Sequence, residues 1–137
     1  MNREEILNII KCCGADTKNY KMDTALAWIQ CMHRGGSPID TLRKSDIDEI
    51  IVYGITELGE LLVNEALLKK YKVIGITDRK VIYGEYFFHD IPVINRDQLD
   101  FYKDKYIVIT SMMFWEEIER ELRERGHQHI LTLMELM

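Results

Sequence analysis

The chain has 137 residues, a formal charge of −5 and 47% hydrophobic residues, which is the size and apolar content of one folded domain. The negative charge disfavours a general nucleic-acid binder, because such proteins need a clustered basic face to displace counterions from phosphate. The longest uncharged apolar runs fall short of the roughly 18 to 20 residues that span a bilayer, and the amino terminus lacks a signal-peptide apolar region. We therefore expect a cytoplasmic protein with no membrane span.

The three cysteines predict neither a disulfide framework nor a metal site. Cys12, Cys13 and Cys31 are odd in number, and without a signal sequence reduced thiols are the default. No C-x-x-C spacing is present, and Cys31 with His33 is a lone pair of ligand types. Metal sites usually need three or four such groups, so no metal is expected.

The first part of the chain, residues 1–44, is predicted to be a helical extension. Its apolar residues recur at helical spacing, but it is too short to have a core of its own. Its apolar stripes must therefore pack against the following domain or against another chain, which makes a homodimer one candidate assembly. The predicted helical segments are 3–13, 25–32 with an N-cap at Asp23 or Thr24, and a short turn opened by Ser37-Pro38.

Residues 45–137 change to short β-branched runs that alternate with amphipathic stretches, a pattern typical of a parallel sheet with crossover helices. Right-handed crossovers make this a three-layer α/β domain, a Rossmann-like open parallel sheet with strand order 3-2-1-4-5. The predicted strands are 49–53, 72–77, 91–94, 105–110 and 129–131, and the predicted helices are 57–70, 96–102 and 114–125.

A candidate binding site follows from this order, because ligands of such sheets bind at the carboxyl ends of the strands where the order reverses. The loop 54–59 would offer backbone N–H groups and a helix dipole to an anion. Asp78, 24 positions after Gly54, has the separation expected of a ribose-binding carboxylate, and Arg79 could meet a phosphate. The candidate nucleotide-binding residues are Gly54, Ile55, Thr56, Leu58, Gly59, Asp78, Arg79, Thr110 and Ser111.

Each of these residue types also has a structural explanation. The glycines serve a strand-to-helix turn, Asp78 serves as a turn residue or cap, and Thr110-Ser111 serves to cap the helix near residue 114. Thr56 stands where a dinucleotide-binding loop has its middle glycine, and its branched side chain would obstruct a pyrophosphate. Glu57 adds a negative charge that favours the helix dipole and repels phosphate.

Two aromatic clusters have alternative interpretations as well. Tyr83, Tyr86, Phe87 and Phe88, followed by His89, lie between the second and third predicted strands, where a loop or hairpin would cover the sheet edge or stack on a base. The run 112–115, Met-Met-Phe-Trp, follows the fourth strand and suits core packing, a sugar face or a protein partner.

Several segments of the chain carry a resemblance to a known family: IIVYGITELGELL, VIGITDRK, IPVI, YIVITSMMFWEEIERELRERG and HILTLMEL, together with the helical extension 1–44, or helical lead, which contains Trp28. They resemble small Rossmann-like domains of bacterial capsular and surface polysaccharide proteins. Such domains occur alone or joined to glycosyltransferases and sugar acyltransferases. In this family the second strand ends in Asp and a Thr or Ser follows the fourth strand. The chain matches the family's glycine loop, which commonly reads G-x-G-x-x-G or G-x-G-x-L-G, at Gly54, Leu58 and Gly59. It matches the other two features at Asp78 and Thr110. Thr56 departs from the loop pattern, which has glycine at that position.

The resemblance implies a non-catalytic domain that binds a nucleotide or nucleotide-sugar in surface polysaccharide biosynthesis, with NAD(P) as another candidate ligand. A second hypothesis is a scaffold with a vestigial nucleotide site that recruits a glycosyltransferase or self-associates. A third is a small sugar-modifying or NAD-dependent enzyme, although no Ser-His-Asp set and no Tyr-x-x-x-Lys facing the crevice is legible. Catalytic residues are therefore not assigned.

Overall fold

A six-stranded sheet with flanking helices organises the residues that a computed structural model of the protein describes, namely 2–6, 18–81 and 86–137. The strands are β1 Glu49–Tyr53, β2 Lys72–Thr77, β3 Tyr86–Phe88, β4 Ile91–Val93, β5 Tyr106–Ile109 and β6 Ile130–Thr132. The helices are α1 Lys18–His33, α2 Pro38–Lys44, α3 Glu57–Leu68, α4 Arg96–Leu99 and α5 Trp115–Glu124. Short 3₁₀ turns are Asp100–Tyr102, Met112–Phe114 and Leu133–Leu136.

The strand order is β3-β4-β2-β1-β5-β6, and every neighbouring pair except β3 with β4 is parallel. The five parallel strands confirm the predicted α/β class and the predicted order 3-2-1-4-5. Strand β1 lies at the centre, where its Val52 pairs with Ile76 on one side and Val108 on the other. All three of the strands β1, β2 and β5 end at the same edge, so the residues that follow them are neighbours.

Strand β3, the one described strand outside the parallel set, is part of a hairpin at the edge of the sheet. Strand β3 pairs antiparallel with β4, and the two residues between them, His89 and Asp90, both have positive φ values of 52° and 63°. Two such residues form the tight turn that suits a right-twisted hairpin. The backbone of Tyr86–Phe88 thus covers the sheet edge, as the edge-cover interpretation predicts, while Tyr83 lies outside the described residues.

Helix α1 begins earlier than predicted. The expected N-caps, Asp23 and Thr24, lie inside the helix, which already includes Lys18. The Thr24 hydroxyl donates to the carbonyl oxygen of Tyr20 at 2.7 Å, so it satisfies its hydrogen bond one turn back instead of capping. Residues 3–6 are helical as predicted; the rest of the predicted helix 3–13, with Cys12 and Cys13, lies outside the described residues.

The predicted helical turn at Ser37-Pro38 is confirmed as the start of α2. Ser37 is the N-cap, and its side chain accepts a hydrogen bond from the N–H of Ile39 while Pro38 occupies the first helical turn. This is the usual arrangement at a helix start. The buried side chains of α1 and α2 belong to the same hydrophobic core as those of the sheet, so the helical lead packs on the α/β part of the chain.

Within the described residues, no helix is long and apolar enough to cross a membrane. Over the same residues, no group of three or more His, Cys, Asp or Glu side chains is placed to hold a metal ion. Cys31, the one cysteine inside this part of the chain, is a free and buried thiol.

Candidate functional site

The turn from β1 into α3 is packed so closely that two of its positions require glycine. Gly54 has φ +128°, and a Cβ there would lie 2.5 Å from Thr110 Oγ1. A Cβ on Gly59 would lie 2.0 Å from the carbonyl oxygen of Gly54. Both distances are far inside van der Waals contact, so the turn itself accounts for both glycines. Any ligand would meet the outer surface of this turn.

Thr110 holds the ends of β1 and β5 together. It is 1% exposed, and its hydroxyl lies within hydrogen-bonding distance of the carbonyl oxygens of Tyr53, at 3.0 Å, and Gly54, at 3.2 Å. Its single O–H hydrogen is therefore used inside the protein. Ser111 is half-buried and makes no side-chain capping bond to the turn that follows. The alternative that Thr110-Ser111 caps the next helix is wrong, because α5 also begins without a side-chain cap.

Thr56 has a structural role that the sequence analysis missed. It is the N-cap of α3, with extended backbone at φ −131°, and its hydroxyl oxygen accepts a hydrogen bond from the N–H of Gly59 at 3.2 Å. A threonine at the strand-to-helix turn is a recognisable N-cap, and an acidic residue in the first turn, here Glu57, favours the helix dipole. The same residue that departs from the dinucleotide pattern thus stabilises the start of the helix. Leu58, another candidate residue, is buried in the core.

Asp78 connects the end of β2 to the glycine turn. Its Oδ2 accepts a hydrogen bond from the N–H of Ile55 at 2.8 Å, and its Oδ1 accepts one from the N–H of Lys80 at 3.1 Å. Its carbonyl oxygen accepts from the N–H of Val81, so the residue also shapes a turn, as one of its predicted structural roles requires. Each carboxylate oxygen keeps a second lone pair for another donor.

Arg79 reaches across the edge of the sheet at which strands β2, β1 and β5 end, which we call the mouth of the sheet. It follows β2, yet its guanidinium binds Glu117 at 3.2 Å and Glu121 at 2.8 Å, and both belong to α5, which follows β5. It also lies over the ring of Phe114 at 6.0 Å. Strand β1 lies between β2 and β5, so the Arg79 side chain passes over the carboxyl end of β1.

The charges around Arg79 shift two pKa values. Burial acts to lower the pKa of Arg79, but the bonds with Glu117 and Glu121 together raise it above its usual value. Burial, with the charge of Glu121, raises the pKa of Tyr53 at the end of β1. At neutral pH the mouth therefore contains a charged guanidinium and an uncharged phenol.

Glu57, at the start of α3, is directed to the helical lead. It forms an exposed ion pair with Lys21 of α1 at 3.3 Å. A pair exposed to this degree adds little stability, but the lysine offsets part of the negative charge that Glu57 brings to the helix start. The predicted site residues thus come together at one edge of the sheet, and Arg79 and Asp78 carry its charged groups.

The run 112–115 divides between core and surface. Met112 and Trp115 are both 2% exposed, whereas Met113 and Phe114 are exposed by 39% and 49%. Core packing therefore accounts for the first and last residues of the run. Phe114 instead contributes to the mouth through its contact with Arg79.

A family model described as C2185-like, N-terminal, matches residues 46–131, a range that includes strands β1 to β5, the first two residues of β6 and all the candidate site residues. No curated protein and no solved structure matches the chain.

Proposed function

The chain belongs to the C2185-like, N-terminal family, and we propose that it is a non-catalytic domain that binds a nucleotide or a nucleotide-sugar at the mouth of its sheet. The observation that carries this proposal is Arg79, a guanidinium held over the end of β1 by two carboxylates of the neighbouring helix. A phosphate group can replace those carboxylates as the bidentate partner of Arg79.

The neighbouring groups support the same class of ligand. Asp78 has lone pairs left for the hydroxyl groups of a ribose, and it lies one residue from Arg79. The first N–H groups of α3, at Glu57 and Leu58, have no partner within the helix and favour an anion. Phe114 offers an exposed ring face on which a base or a sugar can pack.

The closed turn restricts how a phosphate can approach. Thr56 and the contact of Gly59 with Gly54 fill the position where a dehydrogenase binds the pyrophosphate of NAD(P). We therefore propose that the phosphate lies further out, between Arg79 and Lys80, and that nucleotide-sugars are preferred to NAD(P). The setting in bacterial surface polysaccharide biosynthesis rests on the sequence resemblance.

A thermal-shift screen of the whole chain with uridine and cytidine diphosphate sugars, CDP-polyols, adenosyl ligands and NAD(P)(H) tests the proposal. A ligand present at 100 times its dissociation constant stabilises the native state by about 2.7 kcal/mol, which raises the melting temperature measurably. Arg79→Ala should abolish the shift. The matched control is Arg43→Ala, because Arg43 also lies over an aromatic ring, that of Tyr71 at 5.5 Å, and donates to the carbonyl oxygen of Lys69.

Two results would contradict the proposal. One is the absence of a shift with every ligand at millimolar concentration, and the other is a shift that Arg79→Ala leaves unchanged. The first result would favour the second hypothesis, a scaffold with a vestigial site that recruits a glycosyltransferase. That hypothesis is favoured by the internal use of the Thr110 hydroxyl and of both Asp78 oxygens. Turnover of any ligand in the screen would instead favour the enzyme hypothesis.

A further inference from the structure

Helix α1 has an apolar face on each side. Its inner face is buried in the core through Tyr20, Trp28 and Cys31. Its outer face is also apolar, although a helix on a protein surface normally turns polar residues outward. The outer residues recur every three or four positions and are exposed by half or more: Met22 at 59%, Leu26 at 50%, Ile29 at 51% and Met32 at 61%.

Helix α3 continues this outer face. Leu61 and Leu68 are two helical turns apart and are exposed by 52% and 80%. Between α1 and α3 runs an apolar groove of about 330 Å³. The groove is lined by Ala25, Trp28, Ile29, Met32, Leu58, Leu61, Asn64, Glu65 and Leu68. We call these exposed side chains and the groove the α1/α3 face.

The α1/α3 face is large for the surface of a monomer. It holds six of the eleven large hydrophobic side chains that are exposed in the described part of the chain. Side chains of this size and exposure present roughly 500 to 600 Å², the upper end for the largest apolar patch of a monomer. A stable dimer buries about 800 Å² on each partner, so this face can supply the apolar centre of such an interface and polar neighbours its rim.

We propose that the α1/α3 face binds the same face of a second copy of this chain about a twofold axis. Such an interface must be self-complementary, and this face has both parts: the groove, and the protruding side chains of Met32 and Leu68 that border it. The protruding Met32 and Leu68 side chains of one copy then enter the groove of the other, as the side-chain ridges of one helix enter the grooves of another in helix packing.

The charges at the edge of the face permit this pairing. Lys21 and Glu57 form an ion pair there, so both signs are present. Glu65 is the one charged residue among those that line the groove. Two copies therefore meet across a largely uncharged centre, where burial of apolar surface drives association. The proposal does not depend on whether the mouth of the sheet binds a nucleotide.

The test is the mass of the whole chain in solution, measured by analytical ultracentrifugation from nanomolar to high micromolar concentration. The expected species is a dimer of the 16.2 kDa chain. Met32→Glu and Leu68→Glu should each raise the dissociation constant at least about 100-fold, because each introduces two charges into a twofold interface. Both side chains are more than half exposed, so the variants should fold with unchanged circular dichroism.

Leu67→Glu is the matched control. Leu67 is in the same turn of α3 and is 50% exposed, but it does not line the groove. This variant should remain dimeric. A wild-type chain that is monomeric at every concentration would overturn the proposal and leave the face to a different partner. A dimer that resists both groove variants, or that Leu67→Glu disrupts equally, would overturn it as well.

Discussion

Replacing Gly59 with alanine should destabilise the protein, although alanine is the better helix former. Gly59 is in the first turn of α3, and propensity alone predicts that alanine stabilises a helix by about 1 kcal/mol. The added Cβ, however, would lie 2.0 Å from the carbonyl oxygen of Gly54 and 2.9 Å from Thr110 Oγ1. The obstacle is backbone, so it cannot rotate away as a flexible side chain can.

Overpacking of this kind costs about 1 to 3 kcal/mol, and a backbone obstacle places the cost at the upper end. After the gain in helix propensity, we expect a net loss of about 2 kcal/mol. For a chain of this length that loss lowers the melting temperature by roughly 6 to 10 °C. Chemical denaturation with an unchanged m-value would identify the effect as one on stability.

The sign of the change in the free energy of unfolding shows which effect is larger, the gain in helix propensity or the cost of overpacking. A Gly59→Ala variant that is as stable as the wild type, or more stable, would refute the reasoning that the turn is closed against a side chain. Gly35→Ala is the control, because Gly35 follows the end of α1, has open space around it and has a φ of +75°. That variant should lose only the cost of the backbone conformation, about 1 kcal/mol.

Two further predictions concern titrating groups. The Tyr71 hydroxyl donates to the carbonyl oxygen of Ile47 at 2.6 Å, and burial raises the pKa of Tyr71 to about 12. The free energy of unfolding should therefore fall as the pH rises from 10 to 12. Tyr71→Phe should cost about 1 kcal/mol at neutral pH, because the hydrogen bond is lost. The alkaline titration of the tyrosines, followed by tyrosinate absorbance, tests the raised pKa, because Tyr71→Phe should remove the component that titrates last. An alkaline titration that is unchanged in this variant would contradict the prediction. His127 is 1% exposed, and burial lowers its pKa more than the nearby Asp100 raises it. The folded state therefore favours the neutral ring, so stability should fall as the pH drops below about 6.5. Urea titrations at several pH values should show a smaller loss over that window in His127→Leu, and an identical loss would argue against this origin.

Local sequence pattern determined the sheet of this protein. Short β-branched runs separated by amphipathic stretches were enough to place the five parallel strands, and the right-handed crossover then left the order 3-2-1-4-5. The aromatic residues between the second and third predicted strands indicated a loop or a hairpin at the sheet edge, and the structure has a hairpin there. These features depend on residues close together in the chain, whose periodicity reports directly which side is buried.

The boundaries of α1 and the partners of the candidate site were decided by tertiary structure. Thr24 looked like a cap, but buried in a helix packed on the core it bonds to Tyr20 instead. Arg79 was predicted to meet a phosphate, yet nothing in its neighbourhood indicated Glu117 or Glu121, which are 38 and 42 residues further along.

The same holds for the exposed face of α1. Its inner and outer residues are equally apolar, so periodicity alone could not separate the side that packs on the sheet from the side that the α1/α3 face presents to solvent. Sequence therefore determined which segments form the five parallel strands and in what order, because that information is local, but it did not predict strand β3. Only the tertiary structure decided which polar groups meet and which apolar side of α1 packs on the sheet, because those contacts depend on crossovers that bring distant residues together.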